Sequence, residues 1–217
     1  MDAERLRLPF ADRTEAGVLL GVRLRALGLT RPVVLALPRG GVQVAAPVAD
    51  LLDGALDVLV TRKIGYPPQP ELGVGAVAEG GEPVFDLGLI ERLGMTGGEL
   101  AEVVEAERAE LDRRVAVYRR GRPLPELRGA EVVVVDDGLA TGGTARAALR
   151  AVRRRGPGRL VLAVPVGAAE TVAALREEAD DVVVLAEPVG FRAVGQWYLH
   201  FGQLSDDDVL DVLSKPR

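Results

Sequence analysis

A chain of 217 residues, 48% hydrophobic and 27% charged, has the size and composition of a soluble globular protein built on one continuous core. Its net charge of -5 excludes the global basic field that draws proteins onto nucleic acid, and the absence of cysteine excludes disulfides, thiolate metal sites and thiol nucleophiles. The single His200 excludes a histidine-rich metal cluster, the start MDAERLRLPF lacks an apolar leader core, and no run reaches the roughly 18 apolar residues of a membrane span. The expectation is a cytoplasmic protein of one domain, residues 1–217, that binds neither membrane nor nucleic acid.

Residues 12–27 place Val18, Leu19, Val22 and Leu27 among arginines, which predicts an amphipathic helix with those residues as its apolar face. PVVLALPRGG predicts a short buried strand over 33–37 that enters a Gly-rich loop. A helix over 42–53 and a strand in LDVLVTR follow, the crossover unit of a parallel sheet. From 62 to 81 the texture changes to RKIGYPPQPELGVGAVAEGG, crowded with Pro and Gly, which predicts a mobile loop and then a small hairpin over 73–85. Residues 97–120 read as a long helix with Glu99, Glu102 and Glu105 early and Arg113, Arg114, Arg119 and Arg120 late, which complements the helix dipole. That arginine group is read as a solvated helix end.

Strands are predicted over 131–135, 159–164 and 181–185, with helices over 144–154 and 168–177 between them. Five strands alternating with helices give an α/β doubly wound parallel sheet, whose ligands sit beyond the carboxyl ends of the strands. The tail SDDDVLDVL, with a Ser cap and an acidic first turn, predicts a short final helix.

The chemistry concentrates in VVVVDDGLATGGT, residues 132–144, where a buried strand leaves through Asp136 and Asp137 into a Gly-rich turn that opens a helix. Free N–H groups at such a helix start, with the hydroxyls of Thr141 and Thr144, form a cradle for a phosphate dianion, and Gly142 and Gly143 let the backbone approach it. Two carboxylates beside a phosphate repel it, so they must meet donors on the same ligand. The vicinal hydroxyls of a ribose 5-phosphate supply them. The stretch is neither a Walker loop nor a dinucleotide fingerprint.

This stretch closely resembles the 13-residue phosphoribosyl pyrophosphate signature of type I phosphoribosyltransferases, and the likeness extends more loosely over 33–201. It implies that family's fold, with a core over 30–186, a flexible loop and hairpin over 62–86 and a small C-terminal hood over 187–201. By the same resemblance, Asp136 and Asp137 hold the ribose hydroxyls, and Ala140, Thr141, Gly142, Gly143 and Thr144 hold the 5′-phosphate. LPRGGV, with Arg39, Gly40 and Gly41, is similar to the pyrophosphate loop, which in the family often carries a non-proline cis peptide.

Residues 62–81 resemble the family's catalytic loop, with Arg62 and Lys63 as charge carriers and Glu71 as its one carboxylate, either a general acid or a solvated charge. Lys63 is one of only two lysines in an arginine-rich chain, and a compact ammonium suits a migrating pyrophosphate. In the hood, Phe191 is the stacking candidate for a base, Trp197 and Tyr198 are hood core, and His200 is a satisfied structural histidine. The resemblance implies transfer of a phosphoribosyl group from 5-phosphoribosyl 1-pyrophosphate (PRPP) to a nitrogenous base, with Asp137 among the catalytic groups. Mg²⁺ would be carried mainly by the substrate, and a homodimer is compatible with the reading. A non-catalytic sensor of PRPP or a nucleotide is the rival, and a hydrolase or phosphorylase of a ribose 5-phosphate remains open.

Overall fold

The computed structural model describes residues 6–215. Helix α1, Arg13–Leu24, starts where the Asp12 side chain accepts from the Glu15 N–H at 2.8 Å. Its buried face is Arg13, Ala16, Gly17, Leu20, Gly21 and Leu24. Val18, Leu19 and Val22 are 43%, 37% and 56% exposed, which corrects the face expected from the sequence. The reason is close approach. Strand β1, Val33–Ala36, leads into α2, Gly40–Leu52, and a Cβ on Gly17 would meet Pro47 Cγ of that helix at 2.6 Å, while one on Gly21 would meet Leu51 Cδ1 at 2.7 Å. Small residues on the packed side of α1 let the two helix backbones come together, and the bulkier aliphatic side is left outward.

After β2, Ala55–Val58, the chain enters a separate antiparallel sheet of β3, Thr61–Tyr66, β4, Gln69–Ala78, and β5, Val84–Phe85. The sequence reading of a mobile loop from residue 62 with a hairpin only from 73 is therefore revised. Thr61 already pairs with Ala78 and Lys63 with Ala76, and the prolines are confined to the turn around Pro67 and Pro68 and to the start of β4. Ile64, Val74 and Ala76 are fully buried, so an apolar face outweighs the Pro and Gly content. Register shifts flank Gly65, where a Cβ would come too close to the Pro70 backbone.

Helix α3, Leu87–Leu93, was not expected. Asp86 caps it and Gly94, at φ 64°, closes it. Helix α4, Gly97–Arg119, opens with a capping box between Thr96 and Glu99. Near its end Arg119, 2% exposed, donates to the Val58 carbonyl at 2.5 Å, pairs with Glu79 and lies 3.5 Å from Asp57. Arg119 thus joins α4, β2 and the root of the ribbon, and is not the solvated charge expected for this helix end.

The remaining elements are β6, Glu131–Val135, α5, Gly143–Arg153, β7, Arg159–Val166, α6, Ala169–Leu175, β8, Asp181–Ala186, and α7, Asp206–Ser214. The main sheet has the order β2-β1-β6-β7-β8 with every pair parallel, so the expected doubly wound α/β sheet of five strands is present. Buried aliphatic clusters pack both of its faces, which is why its central strands read as unbroken valine runs. The second sheet rests on α5 through Ala76 and Ala78 against Ala147 and Ala151. Among the described residues, no helix is long and apolar enough to cross a membrane.

Candidate active site

Strand order turns at the boundary of β1 and β6. From β1 the chain adds β2 on one side, and β6, β7 and β8 extend the sheet on the other. The loops leaving β1 and β6 therefore lie side by side at the carboxyl ends of their strands, the place where sheets of this kind take ligands. The last residues pair in register, Ala36 with Val135, and Leu37 N–H extends the ladder to the Val135 carbonyl at 2.8 Å. Asp136 and Asp137 follow Val135 directly, and Arg39, Gly40 and Gly41 lie in the loop after Ala36.

The first loop carries Arg39, Gly40 and Gly41. The Pro38–Arg39 peptide bond is cis, as the family resemblance implied for this loop. A Cβ on Gly40 would lie 2.5 Å from Asp137 Cγ, and one on Gly41 would lie 2.7 Å from the Val135 carbonyl oxygen and 3.0 Å from Asp136 Cα. Two glycines are needed because two loops touch with no room for a side chain between them. The second loop holds the acid pair and then Ala140, Thr141 and Gly142. Gly142 adopts φ 72° as the N-cap of α5, a left-handed conformation that favours glycine, and no side chain caps the helix. The first bond inside α5 runs from Arg146 N–H to the Gly142 carbonyl at 2.9 Å, so the N–H groups of Gly143 to Ala145 have no intrahelical partner. Thr141 is exposed and Thr144 half-buried beside them. These residues are thus brought together at the start of α5, and the turn is steadied by Thr171, whose hydroxyl donates to the Ala140 carbonyl at 2.6 Å.

The acid pair is electrostatically uneven. Asp137 accepts from Arg13 Nε at 2.8 Å, with side chains only 15% and 7% exposed. Asp136 Oδ1 accepts from the Asp137 N–H at 2.8 Å and makes no ion pair among the described residues, the Arg13 charge acting on it only weakly. Burial and the neighbouring Asp137 charge therefore hold the Asp136 carboxyl well above the ordinary carboxylate range. Burial also raises Asp137, and the Arg13 hydrogen bond and charge pull it back. A raised carboxyl binds its proton more tightly folded than unfolded, so its contribution to stability is fully present below the unfolded pKa, about 3.9, and is lost as pH rises through the folded value. Asp136→Asn keeps an oxygen for the Asp137 N–H and has no proton to lose. It should raise the Tm near neutral pH by a few degrees, at about 2–4 °C per kcal/mol relieved, and leave it unchanged at pH 4. Thermal melts of both proteins from pH 4 to 8 check this.

Arg13 was missed in the sequence, and its signal was present. It lies on the same helical stripe as Gly17 and Gly21, at i, i+4 and i+8, so the face that packs against α2 carries one arginine at its end. Tyr198 was read as hood core, and its ring is buried there. Its hydroxyl also donates to the Asp137 carbonyl at 2.6 Å.

Arg62, Lys63 and Glu71 are gathered on the ribbon. They line a recess of about 370 Å³ against Val103 and Glu107 of α4. Arg62 Nε bonds to Glu107 Oε2 at 2.7 Å and Lys63 Nζ to the Glu71 carbonyl, while the Glu71 side chain is exposed. In the hood, Phe191 stacks on Trp197 with ring centroids 6.2 Å apart, and Val194 packs over Gly138, next to the acid pair. His200, read from the sequence as a satisfied structural histidine, is exposed, and its backbone N–H donates to the Ala11 carbonyl at 2.9 Å. Among the described residues no three metal-ligating side chains come together, and two adjacent carboxylates make a poor cage.

Comparison with known proteins places these features in a family. The profile of the phosphoribosyl transferase domain matches residues 16–195. The crystal structure of TT1426 from Thermus thermophilus has 46% sequence identity and a TM-score of 0.80, with 95% of this chain and 98% of that chain covered. The Mycobacterium tuberculosis H37Rv protein Rv0571c, provisionally named a phosphoribosyl transferase, is 46% identical over 206 residues, 95% of this chain. The chain spans about half the length, 46%, of that curated relative. A 60-residue stretch, 28% of the chain, is 45% identical to an adenine phosphoribosyltransferase of Mycobacterium avium, and similarly local matches run to uracil phosphoribosyltransferases. With the topology, the acid pair and the uncapped start of α5 in place, the chain belongs to the type I phosphoribosyltransferase family.

Proposed function

We propose that this chain binds PRPP with Mg²⁺ and transfers its phosphoribosyl group to a nitrogenous base, releasing pyrophosphate. The observation that carries the reading is the meeting of three parts at the carboxyl ends of β1 and β6: the acid pair, the uncapped start of α5, and the Gly40 and Gly41 loop against which Asp137 rests. In this reading Asp136 and Asp137 take the vicinal hydroxyls, the N–H groups from Ala140 to Thr144 take the 5′-phosphate, and Arg39, Gly40 and Gly41 take the pyrophosphate. Mg²⁺, when bound to the pyrophosphate, would neutralise charge on the leaving group. The protein's own contribution is positioning: the sugar is pinned at both ends, so the bond at C1′ is presented to a base held under the hood near Phe191. The test is incubation with PRPP, Mg²⁺ and a panel of bases while pyrophosphate release is followed.

Arg62 and Lys63 are both engaged, with Glu107 and the Glu71 carbonyl, so they must exchange those partners to reach a pyrophosphate. That observation supports a second reading, a sensor that binds PRPP without turnover, and binding without pyrophosphate release would select it. For the enzyme, Lys63→Ala should lower kcat about 10²-fold and change the affinity for PRPP far less, because the ammonium meets the leaving group mainly after the ribbon moves. Steady-state kinetics in which only KM moved would contradict that role.

The base is constrained by Ala140. Relatives that use 6-oxopurines typically carry an aspartate at the matching position, where it exchanges a proton with the purine ring, and a methyl group cannot do so. Hypoxanthine and guanine should therefore be poor acceptors. Turnover of either at about 1 s⁻¹ or faster, at saturating PRPP, would count against the assignment.

A further inference from the structure

We propose that Arg13 is a positioning residue, which fixes the Asp137 carboxylate for the ribose hydroxyls and makes that placement depend on the segment that closes the hood. The proposal rests on the PRPP site described above and extends it to a residue outside every motif. Arg13 uses both the edge and the face of its head group. Nε donates to Asp137 Oδ2 at 2.8 Å, Nη1 donates to the Gly202 carbonyl at 3.0 Å, and the guanidinium carbon lies 3.8 Å from the centroid of the Phe201 ring. A planar fork stacked on an aromatic face is held in orientation, and a lysine could reproduce the charge and not the plane. Phe201 in turn stacks on Tyr198 with centroids 5.2 Å apart, and the Tyr198 hydroxyl holds the Asp137 carbonyl. The main chain and the side chain of Asp137 are thus both gripped by the same hood aromatics, one directly and one through Arg13.

The placement is set by packing from the other side too. Gly17 and Gly21 seat α1 on α2, and a Cβ on Gly40 would come within 3.2 Å of Arg13 Nε. The charged and titratable groups facing Asp137 are Arg13, Asp136 and the Tyr198 phenol, and Arg13 is the one cation among them. An exposed arginine on a helix surface would need none of these partners. Here a buried cation divides its donors between the acid loop and the hood, which is the arrangement expected if ligand binding needs Asp137 ionised and still.

The experiment is a carboxyl-carbon NMR titration of ligand-free wild type, Arg13→Gln, Arg13→Lys and Phe201→Leu, with PRPP affinity measured by calorimetry with Mg²⁺ across the same pH range. Arg13→Gln should raise the Asp137 titration midpoint by about one to three pH units, and the acid limb of PRPP binding should move up with it. Arg13→Lys should restore the midpoint and leave PRPP affinity reduced, because charge returns without the stacked fork. Phe201→Leu leaves the ion pair intact, keeps the assay available if Arg13→Gln unfolds, and should lower PRPP affinity with little change in the midpoint. An Asp137 midpoint unmoved in Arg13→Gln, or PRPP affinity and pH profile equal to wild type in all three variants, overturns the proposal. If wild type does not bind PRPP, the functional reading fails, and the ligand-free titration still decides whether Arg13 sets the state of Asp137.

Discussion

Gly40→Ala should reduce PRPP affinity by about 100-fold or more, equivalent to at least ~2.7 kcal/mol. The added methyl group would sit 2.5 Å from Asp137 Cγ and 3.2 Å from Arg13 Nε, so the carboxylate has to swing away and leave its cation. Breaking a buried pair from one side typically costs about 3–5 kcal/mol, some of which relaxation recovers here because a carboxylate can rotate. Gly41→Ala provides the contrast. Its methyl group would press on the Val135 carbonyl and Asp136 Cα, which are backbone atoms at the end of a central strand and cannot rotate away. Thermal melts should therefore show the greater loss of stability for Gly41→Ala, while calorimetric titration shows the loss of binding already in a folded Gly40→Ala protein. A Gly40→Ala protein with wild-type affinity would remove Asp137 from the ligand site.

Asp137→Asn should weaken PRPP binding by about 1.5–3 kcal/mol through loss of a charge-assisted acceptor. In the ligand-free fold it removes a buried charge and also leaves Arg13 without its anion, two effects of opposite sign, so the loss of binding should exceed any loss of stability. Unfolding free energy and affinity measured on the same preparation separate the two. Combined with Gly40→Ala, the effect on binding should be clearly less than the sum of the single effects, since both substitutions disable one carboxylate. Full additivity would mean that Gly40 acts on the ligand by some route other than Asp137.

The parts of this molecule that were legible in the sequence are those whose cause is local. Runs such as VVVVD declare buried parallel strands, because a strand covered on both faces has no polar side to show. Gly142 and Thr144 declare a helix start by their own geometry. Helix α3 was legible in principle from Asp86 before LGLIERLG, and was hidden by the Pro and Gly texture just upstream. The ribbon was misjudged for the same reason: composition argued for a loop, while Ile64, Val74 and Ala76 supply a buried face that composition does not reveal. Arg13 was overlooked for a different reason, although its stripe with Gly17 and Gly21 was there to read. Its partner is 124 residues away, and in a chain that is rich in arginine no single arginine stands out. The face of α1 was assigned to Val18, Leu19 and Val22 by hydrophobicity, whereas close helix approach selected the glycine side. Hydrophobic pattern predicts what is buried only when size does not decide it first.

The seam between the ribbon and α5 consists of methyl groups, Ala76 and Ala78 facing Ala147 and Ala151. Alanines present no protruding knobs, so the two surfaces do not interlock as leucine-filled seams do, and one can slide over the other without any side chain having to change rotamer. The root of the ribbon is held differently, by Arg119 gripping Glu79 and the Val58 carbonyl. The seam lies at that same root, since Ala78 pairs with Thr61 and Ala76 with Lys63, while Ile64 and Val74 are buried in the main core and Arg62 pairs with Glu107 of α4. The exposed turn at Pro67 and Pro68 is therefore the part of the ribbon that can move without unpacking the core.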